Sequence, residues 1–466
     1  MYYVSTRGEA PRLNFKEAFL TGLASDGGLY VPESYPSFST SEIASFKQLT
    51  YQELCFKIMK PYIGKSLTDK VLKDIIAKAY KDTVFTHSAI APLKQLNNKQ
   101  FVLELFHGPT NAFKDFALQL IGHLLEHFLK ENKEKAIILG ATSGDTGSAA
   151  IHGCKNCKRA DIFILHPHNR TSDIQRKQMT TVLDKNVFNL AIKGNFDDAQ
   201  AIVKYVFCNQ EFIEGKKRLI AVNSINWARI VGQIVYYFYA GLALGAPERS
   251  ISFSVPTGNF GDIFAGYVAR KMGLPVDRLI VATNKNDILS RFINKNSYKK
   301  EKLVETLSPS MDIQISSNFE RLLYDMHNGN AKKVKQLMED FNKTGKLSVS
   351  ATVLKKIQAL FFASKSDDKA IVKTMQVMHK ATGEILDPHT AAGVKSAYEF
   401  ADKISSPIVT LATAHPGKFP VSLNKAKLKL AELPDSLAKP LKAKEKFKIL
   451  PNEAAEVISY VIKNSL

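Results

Sequence analysis

The sequence predicts an α/β fold in which parallel sheets are covered by helices, and three observations carry that expectation. Short apolar runs near Phe101, Ala136, Ile162, Ile251 and Leu279 have the length and residue types of buried strands. Amphipathic helical patterns lie between them, the alternation that a parallel sheet with crossover connections requires. Two of the runs pass straight through glycine turns into helix starts, at 136–148 and 251–262. Ahead of this core, residues up to about 92 read as a mainly helical N-terminal domain, with helices expected over 50–59 and 67–80. The core is expected to span 93–424, with a smaller α/β subdomain at about 135–222 set inside it. Helices expected over 318–326, 332–342, 350–364 and 369–382 form an insertion in that core. A tail, 425–466, carries a last helix over 453–463 that packs on the core.

Ile251, Phe253 and Val255 alternate as a strand should before Pro256 and Gly258 break it. Asp262 then stands where it can cap a helix carrying Ile263, Phe264, Tyr267 and Val268. A strand that turns tightly into a helix leaves N–H groups pointing out of the positive end of the helix dipole, which is a ready anion site. Gly258, Asn259, Phe260 and Gly261 therefore read as a phosphate cradle. The loop lacks the Lys-Ser/Thr pair of a P-loop and the spacing of a dinucleotide turn. Lys114 sits at another helix mouth: 101–105 reads as a buried strand, His107-Gly108-Pro109-Thr110 as a loop, and 115–130 as an amphipathic helix. The positive helix end and partial desolvation both lower the pKa of an amine there, favouring the neutral form that attacks an aldehyde. A nucleophilic lysine and a phosphate cradle in one chain point to a pyridoxal-phosphate enzyme.

Seven motifs, in order from His107 to Phe419, carry a resemblance: HGPTNAFKD, GATSGDTGSAA, NSINWARI, VPTGNFGD, SPSMDIQISSNFERLL, DPHTAAG and LATAHPGKF. They look like those of the threonine synthases, and the opening STRGEAP and LASDGGLYVPE are similar to that family's N-terminal region. The resemblance implies two parallel-sheet α/β subdomains of the fold type II pyridoxal-phosphate enzymes with a mainly helical N-terminal domain. It also implies that Lys114 aligns with the Schiff-base lysine, that Gly258, Asn259, Phe260 and Gly261 hold the phosphate of pyridoxal 5'-phosphate, and that Asp312 lies near the cofactor. Thr413 aligns with the residue facing the pyridine nitrogen. A hydroxyl there does not hold the ring protonated as an aspartate would, so the ring is a weaker electron sink. The loop from Gly140 to Gly147 resembles the one that grips a substrate α-carboxylate, which makes Ser143, Asp145 and Thr146 substrate-binding candidates.

The implied reaction takes O-phospho-L-homoserine and water to L-threonine and phosphate, the last step of threonine biosynthesis. Loss of phosphate from Cγ needs fixed cations or hydroxyls several bonds from the cofactor. Ser224, Asn226, Arg229 and Lys418 are the plausible donors, and the sequence does not choose among them. A phospholyase would keep the same lysine and cradles but release a ketoacid and ammonia, whereas a non-catalytic descendant would have lost one of them.

Other patterns carry less. His123-Leu124-Leu125-Glu126-His127 fits HxxEH, but Gln119, His123, Glu126, His127 and Lys130 form the polar face of an amphipathic helix, so no metal is expected. Cys154 and Cys157 form a lone CxxC with only Cys55 and Cys208 besides, which suits a reduced chain better than a zinc site. His389 and His415 fall in the motifs, either beside the site or behind it. The longest apolar stretch, 234–244, is far short of the ~20 residues a membrane span needs. A soluble, cytoplasmic monomer or homodimer is expected. Much of the formal charge of +20 sits in lysine-rich segments such as 298–302 and 425–448, whose lysines alternate with apolar residues as on solvated faces and carry no nucleic-acid motif, so no nucleic-acid partner is expected.

Overall fold

The alternation at Ile251, Phe253 and Val255 becomes the fully buried strand Ile251–Pro256, at the centre of a six-stranded sheet. The structure, a computed structural model, describes residues 1–142, 144–213, 215–221 and 224–465. It divides into two units. The first comprises Met1–Lys73, His87–His107 and Ser224–Ala431, and the second Asp74–Thr86, Gly108–Asn223 and Glu432–Leu466.

In the first unit the strand order is Phe361–Lys365, Val276–Thr283, Ile251–Pro256, Ile408–Ala412, Gln100–Glu104 and Leu93–Gln95, parallel except at the Leu93–Gln95 edge. Helix Pro388–Phe400 packs across the strands on one face, and Gly261–Lys271 packs with the almost wholly apolar helix Trp227–Ala243. Before them, Tyr2–Ser5, Leu13–Asn14 and Tyr30–Pro32 make a small antiparallel sheet within the region read as helical. Its pairings are two or three residues long, too short for alternation to announce them. Helix Tyr51–Ile63 starts where expected, because Thr50 and Glu53 close a reciprocal capping box.

The segment read as one helix over 350–364 is helical only over Ala351–Gln358, and Phe361–Lys365 is the sheet's edge strand. Val353, Ile357 and Leu360 continue a helical spacing toward it, but pairing of Phe361 to Lys365 with Leu279 to Thr283 wins.

The second unit is built on five parallel strands in the order Lys448–Leu450, Val187–Ile192, Ala160–Pro167, Lys135–Ala141 and Lys217–Ala221. The tail helix Ala454–Asn464 seats Val457 and Val461 in the cluster that holds Ile202 and Val206. Helices Lys114–Asn132 and Asp145–Cys154 meet backbone to backbone. A Cβ at Gly122 would stand 1.9 Å from the Gly153 carbonyl oxygen, and one at Gly153 would stand 2.3 Å from that of Leu118. Only glycine permits that approach. Among the described residues, no helix is long and apolar enough to cross a membrane.

Candidate active site

In the second unit the paired helices bring their first residues together. Lys114 opens one and Asp145 the other, and the Lys114 Nζ lies 3.7 Å from the Asp145 carboxylate, with both side chains largely buried. The loop before Lys114 is clamped from behind. Asp115, fully buried, accepts from the Thr110 N–H and hydroxyl at 2.8 Å each, and Gln178 donates to the Thr110 carbonyl at 3.0 Å. The last residue of the HGPTNAFKD motif thus fixes where its lysine begins.

Around Asp145 the loop is organised by a hydroxyl that pattern reading missed. Thr142 Oγ1 accepts the N–H groups of Gly144 and Gly147, both at 2.9 Å, so neither amide remains for an anion. Gln175 Nε2 donates to Asp145 at 2.9 Å. Thr146 lies half-buried in the first turn of the helix, while Ser143 lies outside the described residues. Cys154 and Cys157 are buried free thiols near the same helix junction, Cys157 donating to the Gly122 carbonyl at 3.3 Å. The HxxEH pattern lies on helix Lys114–Asn132, where Glu126 accepts the Lys158 N–H at 2.9 Å. Among the described residues, no group of three His, Cys, Asp or Glu side chains could hold a metal.

The first unit carries the other candidates. Thr257 continues from the central strand, Phe260 takes a left-handed conformation (φ 64°), and helix Gly261–Lys271 follows. Phe260, not Asp262, is the N-cap, and Asp262 instead accepts the hydroxyls of Tyr236 at 2.5 Å and Tyr237 at 3.0 Å. Burial, together with that carboxylate, raises both tyrosines, so their protons stay on the phenols. No hydrogen bond is donated by the N–H of Gly258, Asn259, Phe260 or Gly261 among the described residues. The loop therefore keeps the donor set that a phosphate monoester requires, and it fits the cofactor's phosphate.

Thr413 is buried just past strand Ile408–Ala412. His415 accepts the Gly417 N–H at Nδ1, at 3.1 Å, and burial pushes its pKa down to about 4, which leaves it neutral. Asp312 is held by four donors: Asn284 Nδ2 at 2.7 Å, Thr306 Oγ1 at 2.8 Å, and Asn286 Nδ2 and the Thr306 N–H at 3.0 Å. Burial nevertheless raises its pKa. Its bonds make it an anchor of its own loop.

Asn226 caps helix Trp227–Ala243 through the Ala228 N–H at 3.0 Å and donates to the Phe19 carbonyl at 2.8 Å, so its amide is oriented by the cap and by the N-terminal region. Ser224 Oγ is 3.4 Å from Ser317 Oγ, which in turn lies 3.4 Å from Asn259 Oδ1. Arg229 is buried, its Nε has no hydrogen-bond partner among the described residues, and burial lowers its pKa to about 10. A guanidinium so placed is suited to an anion. Lys418 is buried as well.

The family model described as threonine synthase N terminus matches residues 2–80, that of pyridoxal-phosphate dependent enzymes residues 84–341, and that of threonine synthase, C-terminal, residues 390–462. Threonine synthase of Pseudomonas aeruginosa is 56% identical over 462 residues, covering 99% of this chain and 98% of its own. The crystal structure of PLP-bound threonine synthase from Brucella melitensis matches with a TM-score of 0.96 at 47% identity, over 100% of this chain and 99% of that one. Yeast threonine synthase matches with a TM-score of 0.92 at 38% identity, over 99% and 98%.

Proposed function

The chain belongs to the threonine synthase family, and on that premise we propose that it converts O-phospho-L-homoserine and water to L-threonine and phosphate, the last step of threonine biosynthesis. The single observation that carries the reading into this chain's own residues is Lys114: a largely buried amine at a helix start, 3.7 Å from a buried carboxylate. Pyridoxal 5'-phosphate, when bound, supplies the electron sink that makes the substrate's Cα and Cβ protons removable.

Lys114 would take the Cα proton and return it after water has added at Cβ. Asp145 supports that traffic by stabilising the ammonium form, and Gln175 keeps its carboxylate turned toward the amine. Asn259 and Phe260, with the glycines that flank them, would hold the cofactor phosphate through main-chain N–H groups. Thr413 would face the pyridine nitrogen with a hydroxyl, leaving the ring unprotonated. Ser143 and Thr146 are the donors proposed for the substrate carboxylate. Arg229, with Ser224, is the favoured group for the phosphate that leaves from Cγ, because the amide of Asn226 is already engaged by its cap and the Phe19 carbonyl.

The test is a product balance with O-phospho-L-homoserine, scoring phosphate, threonine, 2-ketobutyrate and ammonia together. Equal phosphate and threonine, lost in Lys114→Ala, are expected. Phosphate accompanied by 2-ketobutyrate and ammonia would move the activity to a phospholyase and overturn the proposal.

A further inference from the structure

The Gly258 and Asn259 carbonyls of the phosphate loop both turn toward one segment, residues 308–318. Ser316 Oγ donates to the Gly258 carbonyl at 2.7 Å, and the Asn318 N–H and Nδ2 both donate to the Asn259 carbonyl, at 3.1 and 3.0 Å. The Ser310 carbonyl oxygen presses on the same loop, standing 2.8 Å from where a Cβ on Gly258 would be. In a planar trans peptide the N–H points opposite to the preceding C=O. Fixing the Gly258 and Asn259 carbonyls therefore fixes the N–H groups of Asn259 and Phe260 on the side away from this segment.

The segment is itself held at both ends by buried side chains. At one end the Ser310 N–H donates to His389 Nε2 at 3.1 Å, and His389 Nδ1 donates to Asp387 Oδ1 at 2.7 Å. Both residues are about 2% exposed or less. That pair fixes the ring in the one tautomer that leaves Nε2 an acceptor. At the other end Arg321 donates to the Asn318 side-chain oxygen, to the Tyr30 carbonyl at 3.2 and 3.1 Å, and to the Ile225 carbonyl at 2.5 Å. Between them the four donors to Asp312, and the Ser316 N–H bonded to the Tyr298 hydroxyl at 2.7 Å, keep the middle from sagging.

We propose that residues 308–318, anchored by His389 and Arg321, form a positioning strap that aims the N–H groups of Asn259 and Phe260 at the phosphate of the bound cofactor. The proposal rests on reading residues 258–261 as the cofactor-phosphate loop. His389, Ser316 and Asn318 act through that loop and are positioning residues. Their contribution is confined to ligands that carry a phosphate, and this separates a strap from a general structural support.

The experiment measures dissociation constants of cofactor-free protein for pyridoxal 5'-phosphate and for pyridoxal, which lacks the phosphate, by fluorescence quenching, together with the phosphorus NMR shift of the bound phosphate ester. Ser316→Ala and His389→Ala are each expected to weaken pyridoxal 5'-phosphate about tenfold, the equivalent of ~1.4 kcal/mol, and to move the phosphorus resonance. Pyridoxal should stay within about twofold, and His389→Gln, which keeps an acceptor near the Nε2 position, should restore most of the loss. Unchanged pyridoxal 5'-phosphate affinity in Ser316→Ala, or equal weakening of both aldehydes, overturns the strap. Should His389→Ala fail to fold, Ser316→Ala decides alone, since it removes one hydroxyl. Wild-type protein that binds the two aldehydes equally would overturn the loop reading itself, a result distinct from any loss confined to the variants.

Discussion

Replacing Gly122 by alanine puts a methyl carbon 1.9 Å from the Gly153 carbonyl oxygen and 2.7 Å from the carbon that bears it. Both are main-chain atoms, so no rotamer relieves the clash, and the helices must part by roughly 1 Å before the contact becomes tolerable in a close-packed interior. Overpacking of this kind costs ~1–3 kcal/mol, while alanine returns up to ~1 kcal/mol over glycine as a helix former. The expected net loss of stability is therefore modest. The catalytic loss is expected to be larger. Gly122 lies eight residues beyond Lys114, and Gly153 eight beyond Asp145, so at ~1.5 Å per residue each helix start is a lever ~12 Å from the wedge. A displacement of ~1 Å at a reacting group is worth on the order of 10²-fold in rate. The assay is kcat/KM for phosphate release beside a thermal melt, and a loss of about 30- to 100-fold with a melting shift of a few degrees is expected. Full activity in a folded Gly122→Ala protein would refute the idea that this contact sets the Lys114–Asp145 spacing.

Arg229→Met is expected to raise KM for O-phospho-L-homoserine at least tenfold while leaving the melting temperature unchanged or higher. Replacing a buried charge that has no carboxylate partner among the described residues with an apolar side chain of similar length removes a desolvation cost. A destabilised variant with unchanged KM would contradict both halves. His166, fully buried on strand Ala160–Pro167, has its pKa pushed down to about 4 by burial, so between about pH 6.5 and 4 the unfolded chain binds a proton that the folded chain refuses. Stability then falls as pH drops through that window, by up to ~1.4 kcal/mol per pH unit for one such proton. Urea titrations at pH 7 and pH 5 should show a smaller difference in His166→Leu than in the wild type, and an identical difference would exclude His166 as a source of the slope.

What was legible in the sequence was local, and what was not depended on partners far away in the chain. Strand Ile251–Pro256, the turn after it and the helix start at Lys114 each announce themselves within about a dozen residues, because alternation, glycine turns and helix starts are short-range signals. Asp312 shows the limit. Its motif placed it near the site, yet what the aspartate does there is decided by Asn284, Asn286 and Thr306, which no spacing rule connects to it. Strand Phe361–Lys365 was hidden for the same reason, since its identity comes from pairing with residues about eighty positions earlier and its neighbours Val353 and Ile357 favour a helix. Arg321 is the extreme case: a cation in an unremarked stretch of motif, buried because the carbonyls of Tyr30 and Ile225, almost three hundred and almost one hundred residues away, converge on it. Arg321 is bonded mainly to carbonyls and makes no ion pair among the described residues, so its desolvation outweighs the pull of nearby Tyr35 and Glu320 and lowers its pKa to about 9. Its place is explained by position: it ties together the start of the Arg229 helix, the N-terminal sheet and the segment that holds the Asn259 carbonyl, three parts that the sequence presents as separate motifs.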